Sequence, residues 1–135
     1  VPENIKELMK YASMKYNNFI GLCLHQANKQ IIQAVGDAVG FEREKVPYAA
    51  FENYGNNTMC SIPTTINHVY SEEITGQSSK VICSGFGNGL ACASVILELD
   101  HIYSSGIVNY KKPDDFMTRE KYLDYWKNKL SGNNN

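Results

Sequence analysis

Short, wholly apolar runs alternate along this chain with longer segments whose apolar residues recur at helical spacing, and that alternation limits its possible folds more than any other feature. Residues 19–24 form one such run and stop at His25 and Gln26; residues 46–51, with a proline near the start, and residues 80–84 form two more. Between them lie helical patterns. The first covers residues 1–13, with Pro2 in its opening turn and Ile5, Leu8, Met9 and Ala12 along one stripe. The second starts near Ala27, turns Ile31, Ala34, Val35 and Ala38 inward and ends at Gly40, and the third spans residues 58–70, with Pro63 leaving its start ambiguous. Runs this apolar suit strands covered on both faces, as in parallel sheets. After residues 80–84 the glycine-rich stretch 85–89 leads at once into residues 90–99, a link short enough to predict a hairpin. The expected fold class is therefore α/β: a mostly parallel sheet with helices and a final antiparallel strand.

Parallel strands joined by crossovers place their C-terminal ends on one edge, where ligands bind in open α/β sheets. This reasoning brings His25, Asn56 and the loop Gly87, Asn88, Gly89 to a common edge. Residues 101–135 differ in kind. A loose Ser104-Ser105-Gly106 stretch, a helix start at residues 113–115 and an aromatic helix over 116–130 lead to a polar end, residues 131–135, expected to be disordered. The chain thus divides into a domain over 1–100 and a C-terminal extension over 101–135, whose Tyr122, Trp126 and Leu130 stripe is expected to dock on its own domain.

Composition removes several classes of function. A net charge of −1 and a pI near 6.3 give no excess positive potential for nucleic acid. The longest apolar run, residues 91–97, is far shorter than a bilayer span, and the charged residues 1–10 are unlike a signal peptide, so a cytoplasmic protein without a membrane role is expected. The four cysteines, Cys23, Cys60, Cys83 and Cys92, read as reduced thiols. With His25 and His68 they show no recurring ligand spacing, so no metal is expected. A chain that opens at Val1 with a helix already under way suits a piece of a longer product.

Three segments carry a resemblance: Leu22-Cys23-Leu24-His25-Gln26-Ala27-Asn28, Tyr54-Gly55-Asn56-Asn57-Thr58-Met59-Cys60-Ser61-Ile62-Pro63 and Gly85-Phe86-Gly87-Asn88-Gly89-Leu90. In order and spacing they are similar to the His-Gln-Ala-Asn, Gly-Asn and glycine-rich segments of ketoacyl-acyl-carrier-protein synthase III enzymes of the thiolase superfamily. The resemblance implies part of the C-terminal half of a thiolase-like fold, with the nucleophilic cysteine in an absent N-terminal half and the piece inactive alone. It also implies decarboxylative Claisen condensation of a malonyl group with an acyl thioester. His25 and Asn56 match the pair that binds the thioester oxygen as it gains charge, and Gly87, Asn88 and Gly89 match the turn whose backbone N–H meets the second oxyanion. Asn28 matches a pantetheine-tunnel position, with Phe86 and Lys29 as further substrate-binding candidates.

The implied substrates are thioesters of coenzyme A or of acyl carrier protein, with no further cofactor, and the implied full-length enzyme is a homodimer. Asn88 stands where a glycine is common, and Gln30 where an arginine meets the carrier, leaving Lys29, Arg43 or Lys45 to form a positive rim. Cys60 matches a small structural position, not the nucleophile. Other thiolase-superfamily acyltransferases, or a non-catalytic module binding carrier protein or coenzyme A, are the alternative readings.

Overall fold

A computed structural model of the chain describes residues 1–113 and 117–131. Helix α1, Pro2–Tyr11, buries Ile5 and Met9, one turn apart, and leads through a turn at Tyr16–Asn18 into strand β1, Gly21–Leu24, every residue of which is buried. Helix α2, Lys29–Val39, follows; the Asn28 Oδ1 accepts the Ile31 N–H at 2.8 Å and Gly40 ends the helix at φ 94°. Its core face is Ile32, Val35, Gly36 and Val39, and Ile31, expected inside, is 41% exposed. The two phases share Val35 and differ by one position. Gly36 decides between them: a Cβ there would come within 2.8 Å of a Val46 methyl, so the glycine face is the one on which the following chain presses.

Residues 46–51, expected as a strand, are not one. Val46 is buried after a turn at Arg43–Lys45, Pro47 follows, and Ala49–Tyr54 is a short helix, α3. Ala49, Ala50 and Glu52 favour a helix start, and β1 pairs directly with β2, Ser78–Gly87, so no strand from this segment lies between them. Asn56 consequently follows a helix, not a strand. A turn at Thr58–Cys60 leads into α4, Ser61–Val69, which begins two residues before Pro63 and holds the proline in its first turn, where no intrahelical N–H bond is lost. Helix α5, Ser71–Ile74, precedes β2.

The sheet has three strands in the order β1, β2, β3, the last being Ala91–Asp100. β1 runs parallel to β2, with Gly21 opposite Val81 and Leu24 opposite Ser84; β3 is antiparallel, from Ser78 opposite Asp100 to Gly87 opposite Ala91. The tight link Asn88–Leu90 holds Gly89 at φ 79°, a left-handed turn conformation natural to glycine. Alternation along the strands divides the core between two faces. Leu22, Leu24 and Ile82 pack with Ile5, Met9, Ile32 and Val35 of α1 and α2; Cys23, Val81 and Cys83 pack with Tyr70 and Ile74, near α4 and α5. The result is a mixed sheet with helices on both sides.

Beyond β3 the Ser104 hydroxyl donates to Asn67 Oδ1 at 2.8 Å, and the Ser104 N–H donates to Thr75 Oγ1 at 3.2 Å, tying this stretch to α4 and the end of α5. Helix α6, Arg119–Leu130, is capped by Thr118, and none of its residues is buried. Tyr122, Trp126 and Leu130 are all exposed, so the expected docking of this stripe is not found; Lys129 instead lies 4.9 Å from the Trp126 ring centre. Of the helix start expected at 113–115, residues 114 and 115 lie outside the described residues, as do residues 132–135 of the end expected to be disordered. Among the described residues no helix is long and apolar enough to cross a membrane.

Candidate functional site

His25 is the first residue past β1. Its backbone N–H donates to Ser84 O at 2.9 Å, which continues the parallel ladder one step and fixes the imidazole at the sheet's edge. The ring meets Phe86 of β2 edge-to-face, with centroids 5.4 Å apart. Its nitrogens have no hydrogen-bond partner among the described residues.

Asn56 comes from the other side. Gly55 ends α3 at φ 69° and ψ −163°, a conformation essentially restricted to glycine, and Thr58 is held at φ 51°. Within this tight segment the Asn56 Oδ1 accepts the Thr58 N–H at 3.1 Å. The bond orients the carboxamide: its oxygen is engaged by a backbone donor, and its NH₂ end is left for a ligand. Asn57 braces the turn from behind, its Nδ2 donating to Thr64 Oγ1 at 3.0 Å.

His25 and Asn56 line one cleft of about 590 Å³, together with Thr58, Met59, Ile62, Gly85, Phe86, Gly87 and Asn88. Among the described residues no carboxylate, lysine or arginine is in that lining. The cleft therefore pairs apolar walls from Met59, Ile62 and Phe86 with the His25 imidazole and the Asn56 carboxamide, an arrangement suited to an oxygen that gains charge. Around Gly85 and Gly87 no atom would meet a Cβ within 4 Å, so the β2 end of the cleft is open. A second cavity of about 590 Å³, lined by Ile20, Lys45, Tyr70 and Lys80, lies at the opposite end of the strands and includes none of His25, Asn56 and the Gly87, Asn88, Gly89 turn.

Other expected residues are placed elsewhere. Gly89 shapes the turn but is not part of the cleft wall. Asn28 caps α2 through its oxygen. Lys29 is held 3.0 Å from Glu52 and 4.0 Å from the Tyr48 ring centre; Tyr48 and then Glu52 raise its pKa. Arg43 pairs with Asp37 at 2.9 Å, and Lys45 donates to Phe19 O at 3.3 Å. The cations expected to form a positive rim are thus engaged by neighbours.

The Cys83 sulfur and burial push the Cys23 thiol well above the ordinary range, which leaves it unsuited to nucleophilic attack. Cys60 is exposed and outside the cleft. His68 Nδ1 lies 3.1 Å from the Tyr54 hydroxyl, and His101 Nδ1 lies 3.0 Å from Gly76 O.

Gln26 was not singled out from the sequence, yet it is fully buried and makes three hydrogen bonds. The readable signal was a polar residue closing a wholly apolar run. Met59 and Ile62 were also missed as cleft walls, although they follow Asn56 by three and six residues.

Residues 9–99 match the family described as 3-oxoacyl-[acyl-carrier-protein (ACP)] synthase III C terminal. A beta-ketoacyl-[acyl-carrier-protein] synthase III of Trichodesmium erythraeum is 35% identical over 98 residues, which are 73% of this chain and 30% of that protein. One from Synechocystis sp. is 34% identical over 97 residues, 72% of this chain and 29% of that protein. Among solved structures, the 3-oxoacyl-(acyl-carrier protein) synthase of Burkholderia xenovorans LB400 superposes with a TM-score of 0.72 at 23% identity, covering 76% of this chain and 29% of its own. The synthase III of Pseudomonas aeruginosa PAO1 gives 0.64 at 26% identity, covering 73% and 30%. The chain thus spans about 30% of the length of the relatives it matches.

Proposed function

The chain belongs to the 3-oxoacyl-[acyl-carrier-protein] synthase III C-terminal family, and we propose that it supplies the enolate-stabilising part of a longer acyltransferase. That enzyme condenses a malonyl thioester on acyl carrier protein with an acyl thioester, in fatty acid or polyketide-type biosynthesis. One observation carries the reading: His25 and Asn56 line a single cleft in which, among the described residues, no carboxylate, lysine or arginine takes part.

The malonyl thioester carbonyl lies between the imidazole N–H and the Asn56 NH₂. Carbon dioxide leaves, the electrons of the broken C–C bond pass to the thioester, and its oxygen becomes an enolate oxygen. Donors already in place bind that oxygen more tightly than the starting carbonyl, which lowers the barrier. The enolate carbon then attacks the acyl group held on a cysteine outside this chain. The carbonyl oxygen of that acyl group takes the negative charge next to the backbone N–H groups of the Gly87, Asn88, Gly89 turn. Collapse expels the cysteine thiolate and releases a chain two carbons longer.

Phe86 forms the wall that keeps the His25 ring at its angle and bounds the thioester. Asn28, its oxygen engaged as the α2 cap, offers its NH₂ end to the pantetheine arm, and Lys29, paired with Glu52, is a further contact for it. The proposal needs no cofactor beyond the phosphopantetheine of carrier protein or coenzyme A, and it carries a cytoplasmic location and a homodimeric full-length enzyme.

The test is carbon dioxide release from malonyl thioester by the full-length protein and its His25→Ala variant. Loss of a donor to the developing oxyanion is expected to lower kcat on the order of 10²–10³-fold, with KM little changed. Release at the parent rate by the variant overturns the proposal.

A further inference from the structure

We propose that Gln26 is the positioning residue of this site, its buried carboxamide setting the separation between His25 and Asn56. The inference rests on the reading of those two residues as the enolate-binding pair. Gln26 follows His25 directly and is 0% exposed. Its Nε2 donates to Leu24 O at 3.0 Å, on β1, and to Pro47 O at 3.3 Å, ahead of α3. Its Oε1 accepts the Phe51 N–H at 3.0 Å, inside α3. One side chain thereby joins the strand that leads to His25 to the helix that leads to Asn56.

The helix needs this partner. Phe51 is the third residue of α3, so its N–H is one of the first-turn donors without an intrahelical acceptor. Tyr48, at the N-cap position, makes no side-chain cap bond, and six residues are too few to hold a helix without tertiary contacts. Gln26 caps α3 from across the sheet edge. The path continues to the far end: the Gly55 N–H donates to Phe51 O at 2.8 Å, and Asn56 is the next residue. Displacing Phe51 displaces the turn that aims the Asn56 carboxamide. The carboxamide is also the group this position demands, since it offers an acceptor to one N–H and donors to two carbonyls in a space closed to water.

The discriminating variant is Gln26→Glu. Protonated, the acid keeps the Phe51 acceptor and one O–H donor for Leu24 O or Pro47 O. Ionised, it turns a charge toward both carbonyl oxygens and donates to neither. Its kcat relative to the parent in malonyl thioester decarboxylation, read from about pH 5 to pH 9, is expected to rise as pH falls through the glutamate's upward-shifted titration. Gln26→Leu is expected to lose about 10²-fold in kcat at unchanged KM, the size of effect that a misplacement of about 1 Å produces.

In parallel, the Asn56 side-chain amide resonance of the full-length protein and the exchange rates of the Phe51 and Gly55 amides are compared between the parent and Gln26→Glu at both ends of the pH range. A shifted resonance and faster exchange at high pH, reversed at low pH, support the coupling. A rate ratio flat in pH, or an unmoved Asn56 resonance, overturns it, and the Glu variant read in acid decides the matter where the Leu variant does not fold. A parent protein that releases no carbon dioxide defeats the condensing reading instead, and the resonance and exchange data then decide whether Gln26 couples the two residues.

Discussion

Asn56 presents a carboxamide with one end already engaged, and that asymmetry makes its chemistry testable. Asn56→Asp keeps an oxygen for the Thr58 N–H, so the turn and the fold are retained, but it replaces the free NH₂ by a charged oxygen. An enolate oxygen would then meet negative charge in place of a donor. Decarboxylation is expected to fall at least as far as in Asn56→Ala, on the order of 10²–10³-fold, while the melting temperature stays near the parent's. Tyr70 poses the opposite case, a buried hydroxyl without a hydrogen-bond partner among the described residues. Tyr70→Phe is expected to leave stability unchanged or raise it by about 1 kcal/mol, because an unpaired polar group no longer has to be desolvated. Burial above all, with the charges of Cys23 and Glu73, pushes the Tyr70 phenol well above the ordinary tyrosine range. Since the folded value exceeds the unfolded value near ~10, the contribution of the neutral ring is complete below that pH and is lost as pH rises beyond it. Urea unfolding of the parent should therefore show an alkaline decline that Tyr70→Phe reduces; parallel declines would assign the effect to other groups.

At the scale of elements, the readable parts were those where one local signal had no competitor. The apolar run ending at His25, the glycine-rich hairpin between β2 and β3 and the Gly40 stop are each dictated by neighbours in sequence. Residues 46–51 were not readable, because an apolar run of that length suits either a strand or a buried turn and helix, and periodicity alone does not separate the two. The phase of α2 was hidden for a similar reason: a glycine scores as a poor core residue, yet Gly36 is the point of closest approach to Val46. Of the candidate site, the meeting of His25 and Asn56 in one cleft was legible from their motifs, whereas the bonds of Gln26 depend on two segments more than twenty residues away. Asn28 shows how a motif residue can have a plain structural task. If its oxygen serves as the α2 cap, Asn28→Ala should cost about 1 kcal/mol and Asn28→Asp should restore it, the carboxylate also favouring the helix N-terminus. Urea midpoints of the three proteins check this, and an Ala variant as stable as the parent removes the capping role.

For the molecule as a whole the question is where the folded unit ends. The family match stops at 99, but Ser104 is bonded to Asn67 and Thr75, and a Cβ on Gly106 would meet Ser71 Oγ at 3.3 Å. These bonds fasten residues 102–106 to α4 and α5, on the face of the sheet that carries Cys23 and Cys83. Beyond them α6 buries none of its residues, so little stability of the body depends on it. The two facts predict an unequal response to shortening. Stopping the chain at 106 should change the urea midpoint by no more than about 0.5 kcal/mol in stability, the range expected for exposed positions. Stopping it at 100 should cost about 1 kcal/mol or more, because the Thr75 and Asn67 side chains lose their Ser104 partners. Comparing chains that stop at 100, 106 and 135 reads both steps in one experiment. A loss confined to the removal of 107–135 would mean that the aromatic face of α6 covers the body in solution, and it would move the edge of the folded unit to the end of that helix.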